Sequence, residues 1–501
     1  MAPAIRGMDR AVAGADALAM ARSLGATLLV TGVVLQAGDS VQARADILDV
    51  ASGQVVRSVG PESGPLARPG AALDALRERL VGTIALLVHP VLNDVIPSSA
   101  AQTPTYAAFR EFSAGEEVAR VGRWADAFVN YAEAYRLDST FTFAAVRTAR
   151  GFYHTQRCDK ADALAASLTS RRDRLSEYER AVLDRTTARC RGDWVAAFDA
   201  ARRMMTLAPG SVESQYVYGV SALYLYRAEE GLRNIRGAEV TSSLFASSPA
   251  LLYNVALALH LLGRHAEERR FADSAAATFP GAPTYGIVLD ATAAMGDTAA
   301  AEQLAMQITS LPMSSDIDPP LLLTATADEL RRHGHPLAAR RVATQLGQYL
   351  DDLPAGRRDH TYWLHRARTH YALAQWPAAA AAVDSAEQRH RALPTGRRTT
   401  ADADEILALR GRVAARQGDT VKARAIQRTL LARSGPYLRG VTTRYAAEIA
   451  GAIGQRDEAI RLLRQSIQQG QHSVDRFLDA LPDFDAFKDD PAFLALFAPR
   501  G

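Results

Sequence analysis

Between Pro104 and Gly470 the chain returns ten times to one pattern, and such periodic return restricts it to stacked, similar supersecondary units. The residue before the second half of each unit is Gly122, Gln156, Gly192, Tyr226, Gly263, Gly296, Gly334, Ala374, Gly418 and Gly454, spaced 33 to 44 residues apart. Five positions later stand Ala127, Ala161, Ala197, Gly231, Glu268, Ala301, Ala339, Ala379, Ala423 and Ala459. Seven positions before the first column stand Gly115, Ala149, Arg185, Gly219, Ala256, Leu289, Ala327, Ala367, Gly411 and Ala447. Eight of ten residues in the second column are alanine, and eight of ten in the third are glycine or alanine, beyond what composition supplies. Small residues at two fixed places let a pair of antiparallel helices cross closely. The first column marks the turn between them, where a positive φ is least costly for glycine. Large apolar residues such as Tyr131, Phe198 and Leu463 fill the space between units.

These columns resemble the tetratricopeptide repeat, with Gly122 to Asp138 and Gly192 to Pro209 as close matches. The fold class expected is therefore mainly α: a tetratricopeptide α-solenoid of about ten helix pairs, over 105–470, preceded by a small α/β domain. Such an array is expected to be elongated. The tail, 471–501, carries Phe477, Phe484, Phe487, Phe493 and Phe497 and reads as a cap, because an open repeat end needs covering.

The first 96 residues read differently. Asp9 to Leu24 has helical spacing, Ala26 to Gln36 reads as a strand, and Ala37 to Ser40 as a hairpin turn. Val41, Ala43, Ala45 and Ile47 alternate with polar residues, as a half-buried strand requires. Gln54 to Val59 reads as a third strand, Gly60 to Gly70 as a loop, and Leu73, Leu76, Leu80, Ile84 and Leu87 as one face of a helix. Leu24-Gly25-Ala26 to Val34, Gly38 to Val41 and Ile47 to Gly53 together resemble the TolB-like (FlgO-like) domain that precedes tetratricopeptide arrays in bacterial kinases and adenylate cyclases. That family has a further strand and helix before this region, so the domain is expected to be incomplete, with its outer sheet edge open to self-association. Residues 97–104, rich in Pro, Ser and Ala, read as the linker.

Composition excludes several classes. With 58 Lys+Arg against 55 Asp+Glu, the net charge of +3 lacks the basic excess of a dedicated nucleic-acid binder. No apolar run is long enough to span a membrane. No secretory signal is visible near Met1, so the expected location is cytoplasmic, or extracytoplasmic if this is the carboxy-terminal part of a membrane-anchored parent. Phosphate-loop, zinc-protease, serine-hydrolase and kinase motifs are missing, so no enzyme activity, cofactor or metal is expected. His360, His365 and His370 walk round a helix, and His333 and His335 read as a solvated turn. Cys158 and Cys190 fall near helix turns of neighbouring units; a disulfide is conceivable there, and free thiols are the favoured expectation.

In this repeat class the first helices line the concave face. That register places Phe109, Phe112, Arg120, Arg150, Tyr153, Glu179, Arg189, Tyr216, Tyr224, Tyr253 and His260 there as anchors for a protein or peptide segment. The expected function is a non-enzymatic binding scaffold in bacterial signalling or regulation. The alternative is the sensory part of a larger signalling enzyme, a serine/threonine kinase or adenylate cyclase, with its catalytic domain elsewhere.

Overall fold

The computed structural model describes residues 14–89, 103–120, 123–170, 175–241, 249–280, 282–310, 319–472 and 478–500. The expected linker, Gly122 and Phe477 lie largely or wholly outside these residues. The chain forms two compact units: Met1–Ala119 with Trp124–Gly151 and Leu168–Glu179, and the remainder from Arg120–Arg123, Phe152–Ser167 and Arg180–Gly501.

The first unit begins with α1 (Gly14–Ser23) and an antiparallel sheet of order β1 (Leu28–Ala37), β2 (Ser40–Asp49) and β3 (Val55–Pro65). β2 turns Val41, Ala43, Ala45 and Ile47 onto α2 (Gly70–Val88), with Val59, Ala72 and Leu76 completing that core. Two expectations are corrected here. Gly60 to Pro65 is strand, not loop: β3 carries an extra residue between the Ala45–Val59 and Ala43–Glu62 pairs, and this bulge, with Gly60 at φ +93°, lets the ladder continue. Leu73 points outward, 46% exposed, so the apolar face of α2 is narrower than its spacing implied. Arg79 of α2 joins the sheet to the first helix pair, with Nε 2.7 Å from Glu62 Oε1 and Nη1 3.1 Å from Asp138 Oδ2.

Among the described residues, ten helix pairs follow. They are α3–α4 (Tyr106–Arg120, Trp124–Leu137), α5–α6 (Thr142–His154, Cys158–Thr169), α7–α8 (Glu177–Arg191, Trp194–Leu207), α9–α10 (Val212–Tyr224, Ala228–Thr241) and α11–α12 (Pro249–Leu261, His265–Thr278). Then come α13–α14 (Ala282–Ala294, Thr298–Thr309), α15–α16 (Pro319–Arg332, Pro336–Asp352), α17–α18 (His360–Ala372, Trp376–Arg391), α19–α20 (Thr400–Arg416, Thr420–Leu431) and α21–α22 (Val441–Ile453, Arg456–Gln468). This is the tetratricopeptide-type fold that the columns imply. Every described member of the turn column has a positive φ, including Gln156, Tyr226 and Ala374, which are not glycine. The alanines of the second column are all buried, and a Cβ on Gly411 would meet Ile449 of the next pair.

Within the second unit the array is not open. Gly192, at the α7–α8 turn, meets Gly470 just after α22, so closely that a Cβ on Gly470 would lie 2.5 Å from the Gly192 Cα. For the pairs of this unit, the elongated run expected from the repeats alone is corrected: they curl until the last one touches the earliest. The pair-to-pair rotation accumulates along the array, and no single repeat encodes its sum.

Candidate functional site

The expected groove residues divide by surroundings. In the first unit, Phe112 is fully buried against Tyr131 and Phe141, so it is core and not an open anchor. Phe109 is buried beside Tyr106 and His89, and the Arg150 guanidinium lies over the Trp124 ring. Buried Glu179 accepts a hydrogen bond from Thr142, whereas Arg120, half-buried at the end of α3, is counted with the second unit.

In the second unit, Tyr153, Arg189 and Tyr224 come together, but at the closure. The Arg189 guanidinium lies 4.1 Å from the Tyr153 ring centroid and donates to Tyr224 Oη at 3.2 Å. Trp194 stacks on Tyr224 and donates its indole N–H to the Gly470 carbonyl at 2.6 Å, while His472 packs edge-on against both rings. Tyr437 donates to Asp162 at 2.9 Å, and Arg439 donates to Gln156 at 2.9 Å. Beneath them Cys158 and Cys190 form a disulfide with a Cα–Cα distance of 5.4 Å, which corrects the expectation of free thiols. Tyr437 packs on that bridge. Tyr216 is buried and accepts a hydrogen bond from Asn254, whereas Tyr253 remains 38% exposed.

The first helices of the later pairs also hold the tail. Phe484, Phe487 and Phe493 pack on α21 and α22, covering the last pair. From there the segment crosses the first helices of four pairs. Asp483, fully buried, receives Tyr371 Oη and Arg416 Nη2, and Arg412 Nε stands 2.6 Å from its Oδ2. Burial, and then the Asp483 charge, hold the Tyr371 phenol well above its usual range. Arg331 pairs with Asp485, and Arg332 with Asp479 at 3.3 Å.

His260 leads to a cluster that sequence reading missed. Its Nδ1 lies 3.2 Å from Glu268 Oε1, and its Nε2 lies 3.6 Å from Glu329 Oε2. His265 Nδ1 is 3.1 Å from Glu268 Oε2, and His333 Nε2 is 3.3 Å from Glu329 Oε2. Burial pushes the His260 imidazole down, but its hydrogen bond to Glu268 and the charges of Glu268, Glu329 and Asp290 outweigh this and raise it to about 9. Burial, reinforced by Glu329, pushes Asp290 up to about 8. The solvated turn expected at His333 is therefore corrected; its ring turns back toward Glu329, one helical turn earlier. A signal existed in the repeat itself: Glu268 is the charged exception in the small-residue column, and it is buried.

No family model matches the chain, and no curated protein matches it. Solved structures do align. The apo form of the quorum sensor NprR from B. thuringiensis aligns at 14% identity and a TM-score of 0.32, over 66% of this chain and 99% of that one. The human IFIT1 dimer with m7Gppp-AAAA aligns at 15% identity and a TM-score of 0.34, over 84% and 89%. The P58(IPK) TPR domain aligns at 11% identity and a TM-score of 0.20, over 65% and 99%. At these scores the class of the protein, a helix-pair repeat of tetratricopeptide type, rests on its own geometry. Among the described residues, no helix is long and apolar enough to cross a membrane.

Proposed function

We propose that this protein is a non-enzymatic scaffold whose inward helices hold acidic, phenylalanine-bearing protein segments. One observation carries the reading: those helices already hold such a segment, the chain's own tail, with Asp483 buried among Tyr371, Arg412 and Arg416. A carboxylate among arginines and a phenol is recognised by charge-assisted hydrogen bonds, and the neighbouring rings supply apolar burial. In this reading the tail is an intramolecular ligand that an outside segment of similar chemistry displaces. The regulatory setting implied by the TolB-like resemblance belongs to the same proposal, as does self-association through β1. The Cys158–Cys190 bridge supports the extracytoplasmic alternative, where such bonds persist.

The test uses a labelled peptide of residues 478–497, with fluorescence anisotropy as readout. Asp483→Ala in the full chain removes the carboxylate that Tyr371, Arg412 and Arg416 share, while Arg412 keeps Glu448, and so loosens the tail. The peptide is expected to bind this variant and to bind the unaltered chain much more weakly. Equal, negligible binding to both would remove the reading.

A further inference from the structure

The geometry points to a binding site for a zinc-like divalent ion, formed by His260 Nε2, Glu329 Oε2 and His333 Nε2, with Glu268 orienting His260 from behind. Such ions take imidazole nitrogen and carboxylate oxygen at about 2.0–2.2 Å, usually with four tetrahedral ligands. Ligand atoms at the corners of that tetrahedron stand about 3.3–3.5 Å apart. Glu329 Oε2 lies 3.3 Å from His333 Nε2 and 3.6 Å from His260 Nε2, and one ligand atom from each of the three residues falls within 4.8 Å of the others.

A second observation is independent of spacing. Glu329 is 2% exposed, and its Oε2 accepts no hydrogen bond among the described residues, although two imidazoles face it. A buried carboxylate oxygen left that way is costly. A metal ion between the three residues relieves it.

The surroundings fit the same ion. Both Glu268 oxygens lie 3.2 Å from His260 Nδ1, so this nitrogen donates its proton to Glu268, and Nε2 is the atom turned toward Glu329. That is the usual carboxylate–histidine–metal relay. His265, 3.1 Å from Glu268, holds the carboxylate in turn. Glu329 and His333 are four residues apart, which puts them on one face of α15 and its final turn. His333 is 27% exposed at its side chain, so the fourth position opens toward water. The ion would staple α11 to α15, and binding would expel the proton that His260 carries on Nε2.

The experiment takes the full chain, stripped with chelator, and titrates it with Zn2+ against a chromophoric competitor and with Co2+ by visible absorption. We expect one ion per chain, a Co2+ spectrum of tetrahedral intensity, proton release on binding, and no competition from Mg2+. Glu329→Gln and His333→Gln should each weaken Zn2+ by roughly a hundredfold or more, and His265→Gln by about tenfold, as for an outer-shell partner. His260 variants risk the fold, so the half-exposed His333 is the principal probe, with circular dichroism confirming its helices. Zn2+ should raise the melting midpoint of the unaltered chain but not that of His333→Gln. Unaltered protein that binds Zn2+ no better than Glu329→Gln, or a Co2+ spectrum like that of the hydrated ion, would overturn the site.

Discussion

Ala374 sits at φ +59°, where its own Cβ crowds the backbone, yet it occupies a turn that glycine fills in most repeats. It is exposed, so replacing it disturbs no packing. Ala374→Gly should therefore stabilise the protein by about 0.5–1 kcal/mol, the relief of left-handed strain less glycine's added unfolded-state entropy. Denaturant melts read this directly; an unchanged or lower midpoint would count against the turn assignment. His260 makes a second residue-scale prediction. Its folded value of about 9 exceeds the ordinary 6.5, so the folded state binds more protons between them. The stability it contributes is complete below pH 6.5 and is lost as pH rises through about 9. Asp290, raised from 3.8 to about 8, acts with the same sign. In chelator, the melting midpoint should fall from pH 6.5 to 9.5, and His260→Gln should flatten the fall. Glu268, held below the usual carboxylate range despite burial, acts in the opposite direction and loses its contribution in acid. A flat profile over the alkaline range would show that these carboxylates do not hold the imidazole as the distances imply.

At the scale of the element, what could be read beforehand depended on whether the signal was local. The helix pairs were legible because each crossing demands a small residue and each turn a positive φ, and both demands recur in the sequence. Ala423, fully buried between α20 and α19, shows the constraint. Ala423→Leu should overpack that crossing and cost about 1–3 kcal/mol in chemical denaturation. The histidine cluster was not legible, because it joins α11, α12 and α15 across repeats of unequal spacing, and only the misplaced Glu268 betrayed it. The end of the third strand is hidden in the sequence, because Gly60 and Pro61 have the character of loop residues and only the folded ladder reveals the bulge that accommodates them. The outer strand is plainer in the sequence. β1 pairs with β2 on one side among the described residues, and Val30, Val33, Val34 and Leu35 are 40–55% exposed. An apolar edge of this kind templates association. The full chain should associate with rising concentration in sedimentation velocity, and Val34→Lys should suppress it; a monomer at all concentrations would remove β1 from consideration.

At the scale of the whole molecule, the second unit is held by a seam between residues far apart in sequence, and the disulfide lies under it. Cys158 and Cys190 are 32 residues apart, so the bridge is worth about 3–4 kcal/mol by loop-closure entropy. Its position adds to that, because Tyr437, which donates to Asp162, packs on it. Opening the seam should therefore take less disruption once the bridge is gone. Trp194 is the most deeply committed residue on the opposite flank: its ring stacks on Tyr224, its N–H satisfies the Gly470 carbonyl, and it is 7% exposed. Trp194→Ala removes the stack and leaves that carbonyl without its donor, a loss of about 3–5 kcal/mol for a buried tryptophan. Because repeats are stabilised by their neighbours, the loss should open the seam before it unfolds any pair. Hydrogen exchange read by mass spectrometry should then show faster exchange around residues 437–441 and 469–472, with α19 unchanged. Cys158→Ser with Cys190→Ser should act in the same direction at the same peptides, and the two changes together should depart from additivity, since both act on one contact. Uniform acceleration across all helices would instead mean that the seam and the pairs form one cooperative unit. No change at either peptide would mean that the closure contributes nothing to the stability of the array.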